Sequence, residues 1–355
     1  MFQRPMYLVL LVLMATLTVL WVTLRRLFRG PLHPGWSYRY EIIAEILRNA
    51  NARGLSLPVA QMRRSMLSAR IHPRIQRTVR HERTTFAGLR AEIFTVQGFT
   101  ENNPTILYLH GGGYIVCSPA THRDLVSRIA MASGARAIAI DYRKAPEFPF
   151  PAPVDDAEAA YRELLRSGVA PETIFVAGDS AGGGLTLALL QRIKTAGLPM
   201  PRAGILLSPW VDLECGGASI AKNARYDYLP ASGLAWGADQ YLQGRDRRDP
   251  YASAVHADFT GFPPLLIQTG GAELFLSENE LLAERARAAG VEVTHEIEEG
   301  MVHVFQAFAS FVPEVNAAIE RIGAFVQSYA VGAPPKAVPP PREPVAPEID
   351  VSPAT

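Results

Sequence analysis

Gly178-Asp179-Ser180-Ala181-Gly182 sets a serine between two glycines, each two residues away. The apolar, β-branched run Ile174-Phe175-Val176-Ala177 before it reads as a buried strand, and the alanine- and leucine-rich run to Lys194 reads as a helix. In that strand–turn–helix setting, the flanking glycines remove the Cβ atoms that would block a very tight turn. The serine hydroxyl is then raised above the sheet edge, at a helix N-terminus that favours developing negative charge. The chemistry this suits is nucleophilic attack. A glycine-rich turn with a serine helix cap has the same local pattern, so the rest of a catalytic apparatus has to be found elsewhere in the chain.

A serine hydroxyl needs a base to take its proton and a carboxylate to orient that base, in the chain order serine, acid, histidine. Of the eight histidines, His303 follows the last expected strand, in the loop from Glu298 that precedes the final helix. It is the candidate base. Glu273 is the first carboxylate after the expected strand Pro264 to Thr269 and is the candidate acid. Asp179, beside the serine, points elsewhere on such a turn and suits structural hydrogen bonds. For the oxyanion of an acyl transfer, His110-Gly111-Gly112-Gly113 follows an apolar strand at Thr105 to Leu109. The amides of Gly111, Gly112 and Ala181 are the candidate donors. No lysine–serine pair follows the glycines as a phosphate-binding loop requires. The two cysteines, Cys117 and Cys215, give neither a disulfide framework nor a zinc-ligand spacing, and no metal site is expected.

These groups need a scaffold. Strand patterns at 81–85, 91–96, 105–109, 135–140, 174–177, 203–207, 264–269 and 291–297 alternate, after the first pair, with helical patterns, the last running from about Phe305 to Tyr329. That alternation implies a doubly wound, mainly parallel, eight-stranded sheet. The catalytic domain is placed at 80–330. Helical patterns within 34–75 read as an N-terminal helical cap, and 214–262, which interrupts the alternation, as a second contribution to it.

The termini are different. Residues 6–24 are uncharged and apolar, flanked by Arg4 and by Arg25, Arg26 and Arg29. The stretch is about as long as a spanning helix needs and lacks a cleavage site, so it is expected to be a single-pass transmembrane anchor. The arginine excess after it places the catalytic domain on the cytoplasmic side. Residues 331–355 are proline-rich and read as a disordered tail. The net charge is +1, and no nucleic-acid partner is expected.

The glycine-rich HGGG and GDSAGG motifs together resemble the hormone-sensitive-lipase branch of the α/β-hydrolases. The similarity continues through Asp141-Tyr142-Arg143-Lys144-Ala145-Pro146-Glu147, Ser208-Pro209-Trp210 and Gly300-Met301-Val302-His303. It implies an α/β-hydrolase fold, hydrolysis of carboxylic esters of short to medium acyl chain, no metal or organic cofactor, and a cap that shapes the acyl pocket. It also allows a homodimer through the last strand and helix. One departure is the acid: many members carry aspartate where this chain has Glu273, as a glutamate branch does. The same triad would serve amide, lactone or N-acyl hydrolysis. A non-catalytic ligand-binding module of the same fold, as in the plant gibberellin receptors, is the other class, and the presence of His303 weighs against it. A membrane-bound scaffold recruiting partners through its tail leaves the triad pattern unexplained.

Overall fold

The computed structural model describes residues 3–66 and 68–330, with backbone alone for 3–13. Eight strands form one sheet: β1 (Val79–Phe86), β2 (Leu89–Val96), β3 (Thr105–Leu109), β4 (Arg136–Ile140), β5 (Ile174–Asp179), β6 (Ala203–Leu207), β7 (Leu265–Gly270) and β8 (Val293–Glu298). Their order is β1-β2-β4-β3-β5-β6-β7-β8. β2 pairs antiparallel with β1 and β4, and all other pairs are parallel.

Strands β3, β5, β6 and β7 are buried at every residue, as the central strands of a sheet covered on both faces must be. The pleat divides their side chains. Ile106, Tyr108, Phe175 and Ala177 face a core with α5 (Arg123–Ser133) and α11 (Asn316–Ser328). Leu107, Leu109, Ile174 and Val176 face one with α6 (Ala152–Arg166) and α7 (Ala181–Thr195). From β3 the chain moves to β4 on one side, and from β5 to β6 on the other. The sheet's switch point therefore lies between β3 and β5, where an open α/β sheet leaves a crevice at its C-terminal edge.

The final helix expected from Phe305 is broken. Two short 3₁₀ turns, Phe305–Phe308 and Pro313–Val315, precede α11, because Pro313 lacks the amide a continuous helix would need there. The 34–75 segment holds α2 (Tyr38–Gly54), α3 (Val59–Ser65) and a turn of helix missed in the sequence, α4 (Pro73–Gln76). Two helices, α8 (Ala218–Asn223) and α9 (Ala231–Leu242), fall in the 214–262 interruption, and α10 (Leu276–Ala288) follows β7.

The transmembrane helix expected at 6–24 is corrected. Among the described residues no helix is long and apolar enough to cross a membrane. The stretch belongs to α1 (Gln3–Arg29), which packs against α2 through Thr18 and Val22. Its arginines, which looked like the flank of a span, serve an internal purpose: Arg25 and Arg26 both pair with the fully buried carboxylate of Glu41 on α2, which also accepts the Leu32 amide at 3.1 Å. The single-pass membrane localisation, and the cytoplasmic side assigned with it, fall with the anchor. The proline-rich tail at 331–355 lies outside the described residues.

Removing Glu41 strands two arginines against α2. Glu41→Ala is expected to lower unfolding free energy by about 2–3 kcal/mol in urea denaturation, less than a fully buried pair because the arginines retain some solvent. A loss under ~0.5 kcal/mol, the level of an unremarkable surface substitution, would mean that this junction does not hold α1.

Candidate active site

Ser180 lies between the last residue of β5 and the first of α7, with φ 52° and ψ −123°. A left-handed φ on a serine is strained and persists only if its surroundings enforce it. They do so through the backbone. Its amide donates to Leu207 O at 2.9 Å, and its carbonyl accepts from Gly183, Gly184 and Trp210 at 2.9, 3.1 and 2.9 Å. A Cβ on Gly178 would strike the Gly182 carbonyl, and one on Gly182 would strike that of Leu109, so both flanking glycines are needed by close approach. The Ser180 hydroxyl makes no capping bond to α7, which removes the helix-cap alternative.

β3 is the next strand to β5, with Leu109 opposite Gly178, so the loop after His110 passes directly beside this turn. The Gly111 amide, expected among the oxyanion donors, instead donates to Asp179 Oδ1 at 3.0 Å. The amides of Gly112 and Ala181 have no hydrogen-bond partner among the described residues. Asp179 holds more than the loop. Its carboxylate also accepts the Tyr108 hydroxyl at 2.8 Å and faces His122 Nε2 at 3.2 Å. Burial would raise the Asp179 carboxyl, but the charge and hydrogen bond of His122 outweigh it and hold it below the usual range. Burial likewise opposes a charge on His122, and Asp179 overrides it, raising the imidazole. His110 is different: fully buried and near Lys144 and His122, it is pushed well below its ordinary value, while its Nδ1 bonds Gly111 O at 2.7 Å.

Glu273 and His303 are both buried, Glu273 after β7 and His303 after β8, at the same sheet edge as Ser180. His303 Nδ1 stands 3.8 Å from Glu273 Oε1, and each of those two atoms lacks a hydrogen-bond partner. The other carboxylate oxygen, Oε2, accepts from Ser208 Oγ at 2.6 Å and from the Gly270 amide at 2.7 Å. Ser208 Oγ in turn accepts the Val304 amide at 3.0 Å. One hydroxyl thus links the acid to the residue after the histidine, and Ser208 sits beside the turn, since the Ser180 amide bonds its neighbour Leu207. The histidine loop is also fastened from the N-terminal segment: Trp36 Nε1 donates to Gly300 O, and Tyr40 Oη accepts the Val302 amide at 2.7 Å.

None of Ser208, His122 and Tyr108 was read as a site residue in the sequence, Ser208 entering only within the Ser208-Pro209-Trp210 stretch of the resemblance. Ser208 had a visible signal, since it directly follows a buried strand next to that of Ser180. His122 and Tyr108 had none, because their role depends on where the Asp179 side chain turns. A group with metal-ligand chemistry does occur: Asp212, Glu214 and His256. It includes no residue of the constellation around Ser180, and Glu214 is already paired with Arg248 at 2.8 Å.

A mainly parallel sheet with its switch point under a strained serine turn, a glycine loop on the adjacent strand, and acid and histidine on later loops together define an α/β-hydrolase. Comparison with known proteins agrees. A family model described as "alpha/beta hydrolase fold" matches residues 106–307. An acetyl-hydrolase of Streptomyces hygroscopicus is 46% identical over 229 residues, 64% of this chain and 77% of that protein. A putative acetyl-hydrolase of Mycobacterium tuberculosis, LipR, is 32% identical over 82% of this chain and 95% of its own length. Among solved structures, an esterase/lipase from an uncultured bacterium superposes with a TM-score of 0.76 at 41% identity, covering 81% of this chain and 97% of that one. An esterase from the bacterial hormone-sensitive lipase family gives 0.74 at 38%, covering 83% and 99%. The chain belongs to the hormone-sensitive-lipase family of α/β-hydrolases and is a carboxylesterase-like hydrolase.

The His122–Asp179 pair gives a pH signature. A depressed carboxyl contributes stability above its unfolded value, lost as pH falls through the folded one. A raised imidazole contributes below its unfolded value, lost as pH rises through the folded one. The stability deficit of Asp179→Asn against wild type is therefore expected to be largest between 3.8 and 6.5, the ordinary values of the two groups. It should narrow on both sides in urea titrations. A deficit that does not vary with pH would show that the pair is not ionised in the folded protein.

Proposed function

We propose that the chain hydrolyses carboxylic esters through a Ser180–His303–Glu273 triad and a covalent acyl-enzyme. Ser180 Oγ attacks the ester carbonyl while His303 takes its proton. Glu273 orients the imidazole and stabilises it as it becomes charged. The amides of Gly112 and Ala181 receive the oxyanion, and Gly111, bound to Asp179, holds the loop that presents Gly112. The alcohol leaves with the proton from His303, which then activates water to release the acid.

The observation that carries this reading is the unpaired couple of His303 Nδ1 and Glu273 Oε1, buried 3.8 Å apart. Two unsatisfied buried polar atoms cost about 1–3 kcal/mol each. A structural role would have paired them, whereas a catalytic hydrogen bond is often long without substrate and tightens when it is bound. A shift of ~1 Å brings the pair to hydrogen-bond length. All three side chains come from one protomer, so the reading needs no second chain.

Residues 34–75 and 214–262 are the proposed cap. Aromatic rings crowd the base: Phe275 lies edge-on to His303 with centroids 5.0 Å apart, and Tyr228 is at 6.0 Å. Two relatives are named acetyl-hydrolases, which supports a short acyl group. That name specifies the group and not the bond, so an N-acetyl amide on the same serine is the second reading.

With p-nitrophenyl esters from acetate to palmitate, turnover is expected to be highest at the short end. Ser180→Ala is expected to lower kcat by ~10⁴-fold or more while the fold, followed by circular dichroism, is kept. A folded wild type no faster than Ser180→Ala on any ester would sink the ester reading, and an N-acetyl substrate would then decide between amide hydrolysis and a binding module.

A further inference from the structure

Asp227 lies between α8 and α9, away in sequence from every residue of the triad, and is almost wholly buried. Its carboxylate is bound by backbone amides. Oδ2 accepts from Leu274 at 2.8 Å. Oδ1 accepts from Tyr228 at 2.7 Å and, more weakly, from Leu229 and His303, both at 3.4 Å. Leu274 follows Glu273 in the chain. One side chain therefore touches the backbone that carries the acid and the backbone that carries the base, two segments that leave different strands.

The contact belongs to a larger clamp. Asn223, at the end of α8, donates through Nδ2 to the carbonyls of Glu273 at 2.8 Å and Gly271 at 3.3 Å. The Asp227 amide bonds Asn223 O at 3.0 Å, which fixes the two side chains one turn apart. They hold the acid loop by opposite polarities, Asn223 at its carbonyls and Asp227 at an amide. From α2, Arg48 donates to Asp227 O at 3.1 Å and Tyr226 O at 2.6 Å, and Asn51 to Tyr228 O at 3.4 Å. The carbonyls of 226–228 thus answer to one helix and the Asp227 carboxylate to the triad loops.

We propose that Asp227 is a positioning residue of the triad: it sets the histidine loop against the acid loop and adds a second negative charge beside His303. The inference rests on the proposed triad. A carboxylate whose partners are all backbone amides, once ionised, has no compensating cation of its own, and the charge it answers is the one His303 acquires during the reaction. The other ionisable groups around it are Glu273 from the acid loop, Tyr40 and Arg48 from α2, Tyr228 next in the chain, and Asp179 beyond Tyr228. Burial pushes the Asp227 carboxyl up, His303 opposes this and Glu273 adds to it, leaving it at about 6. At mildly alkaline pH it is ionised.

Asp227→Asn keeps the shape, removes the charge and turns an amino group toward an amide that needs an acceptor. With p-nitrophenyl acetate its kcat is expected to fall ~10–100-fold, the scale of a misplacement of about 1 Å, with KM held within about threefold. Loss of a negative charge near His303 favours the neutral imidazole, so the acid limb of kcat/KM should move to lower pH by ~0.5–1 unit. A purely structural residue would not move that limb. A folded Asp227→Asn with the wild-type kcat and acid limb overturns the proposal. Should that variant fail to fold, Arg48→Met decides the positioning claim, because it loosens the segment while leaving the carboxylate in place. A kcat ~3–10-fold lower, with the acid limb unmoved, supports the proposal, and a wild-type kcat overturns it. Failure of the esterase reading is a separate result, seen as a wild type no faster than Ser180→Ala.

Discussion

The structure depends on how closely the backbones of β3, β5 and α7 approach at the C-terminal edge of the sheet. Gly178 and Gly182 allow carbonyl oxygens to stand where side chains would be, and the Leu109 carbonyl fills the space a Cβ on Gly182 would take. The strain at Ser180 follows from that approach. A left-handed serine costs of order 1–3 kcal/mol, and four backbone hydrogen bonds at about 1 kcal/mol each are enough to hold it. The same approach brings Gly111 against Asp179, so the Ser180 turn and the glycine loop are positioned by one contact and not by two.

Two buried polar clusters flank this turn, and they differ in character. On the β3 side, Asp179, His122 and Tyr108 form a paired and satisfied group, suited to rigidity. On the β6 and β7 side, Ser208, Glu273, His303 and Asp227 form a group with one couple left open. A satisfied network stabilises a shape, and an open one leaves room for a proton to move. That asymmetry places the proposed chemistry on the His303 side and the proposed anchoring on the other. The N-terminal segment acts on the open side as well, since Trp36, just before α2, and Tyr40, on α2, hold the loop that ends at His303.

The sheet was legible because each central strand is a short apolar run bounded by turn residues, a pattern that fully buried parallel strands impose. That Ser180, Glu273 and His303 share one sheet edge was legible through chain order and their place after a strand. What escaped depends on side-chain direction. Asp179 was read as structural, yet its grip on Gly111 could not be foreseen, because nothing in a GDSAGG string says which amide the aspartate meets. Asp227 and Asn223 sit in an insertion without periodicity. The N-terminal stretch misled at its arginines: Arg25 and Arg26, which look like the flank of a span, close on the buried Glu41 of α2, while Thr18 and Val22 are the buried side chains of α1 among the described residues. Composition does not distinguish a lipid from a protein neighbour, and it gives no hint of the acid on the next helix that those arginines meet.

The role proposed for Ser180 is that of nucleophile in a covalent mechanism. It is tested most directly by treating the full chain with an activated phosphonate ester and locating the adduct by mass spectrometry of the intact protein and its peptides. One phosphonyl group per chain is expected, on the peptide carrying Ser180, with labelling abolished by His303→Ala. No adduct on a folded protein, or one carried by another residue while Ser180 stays free, would contradict it.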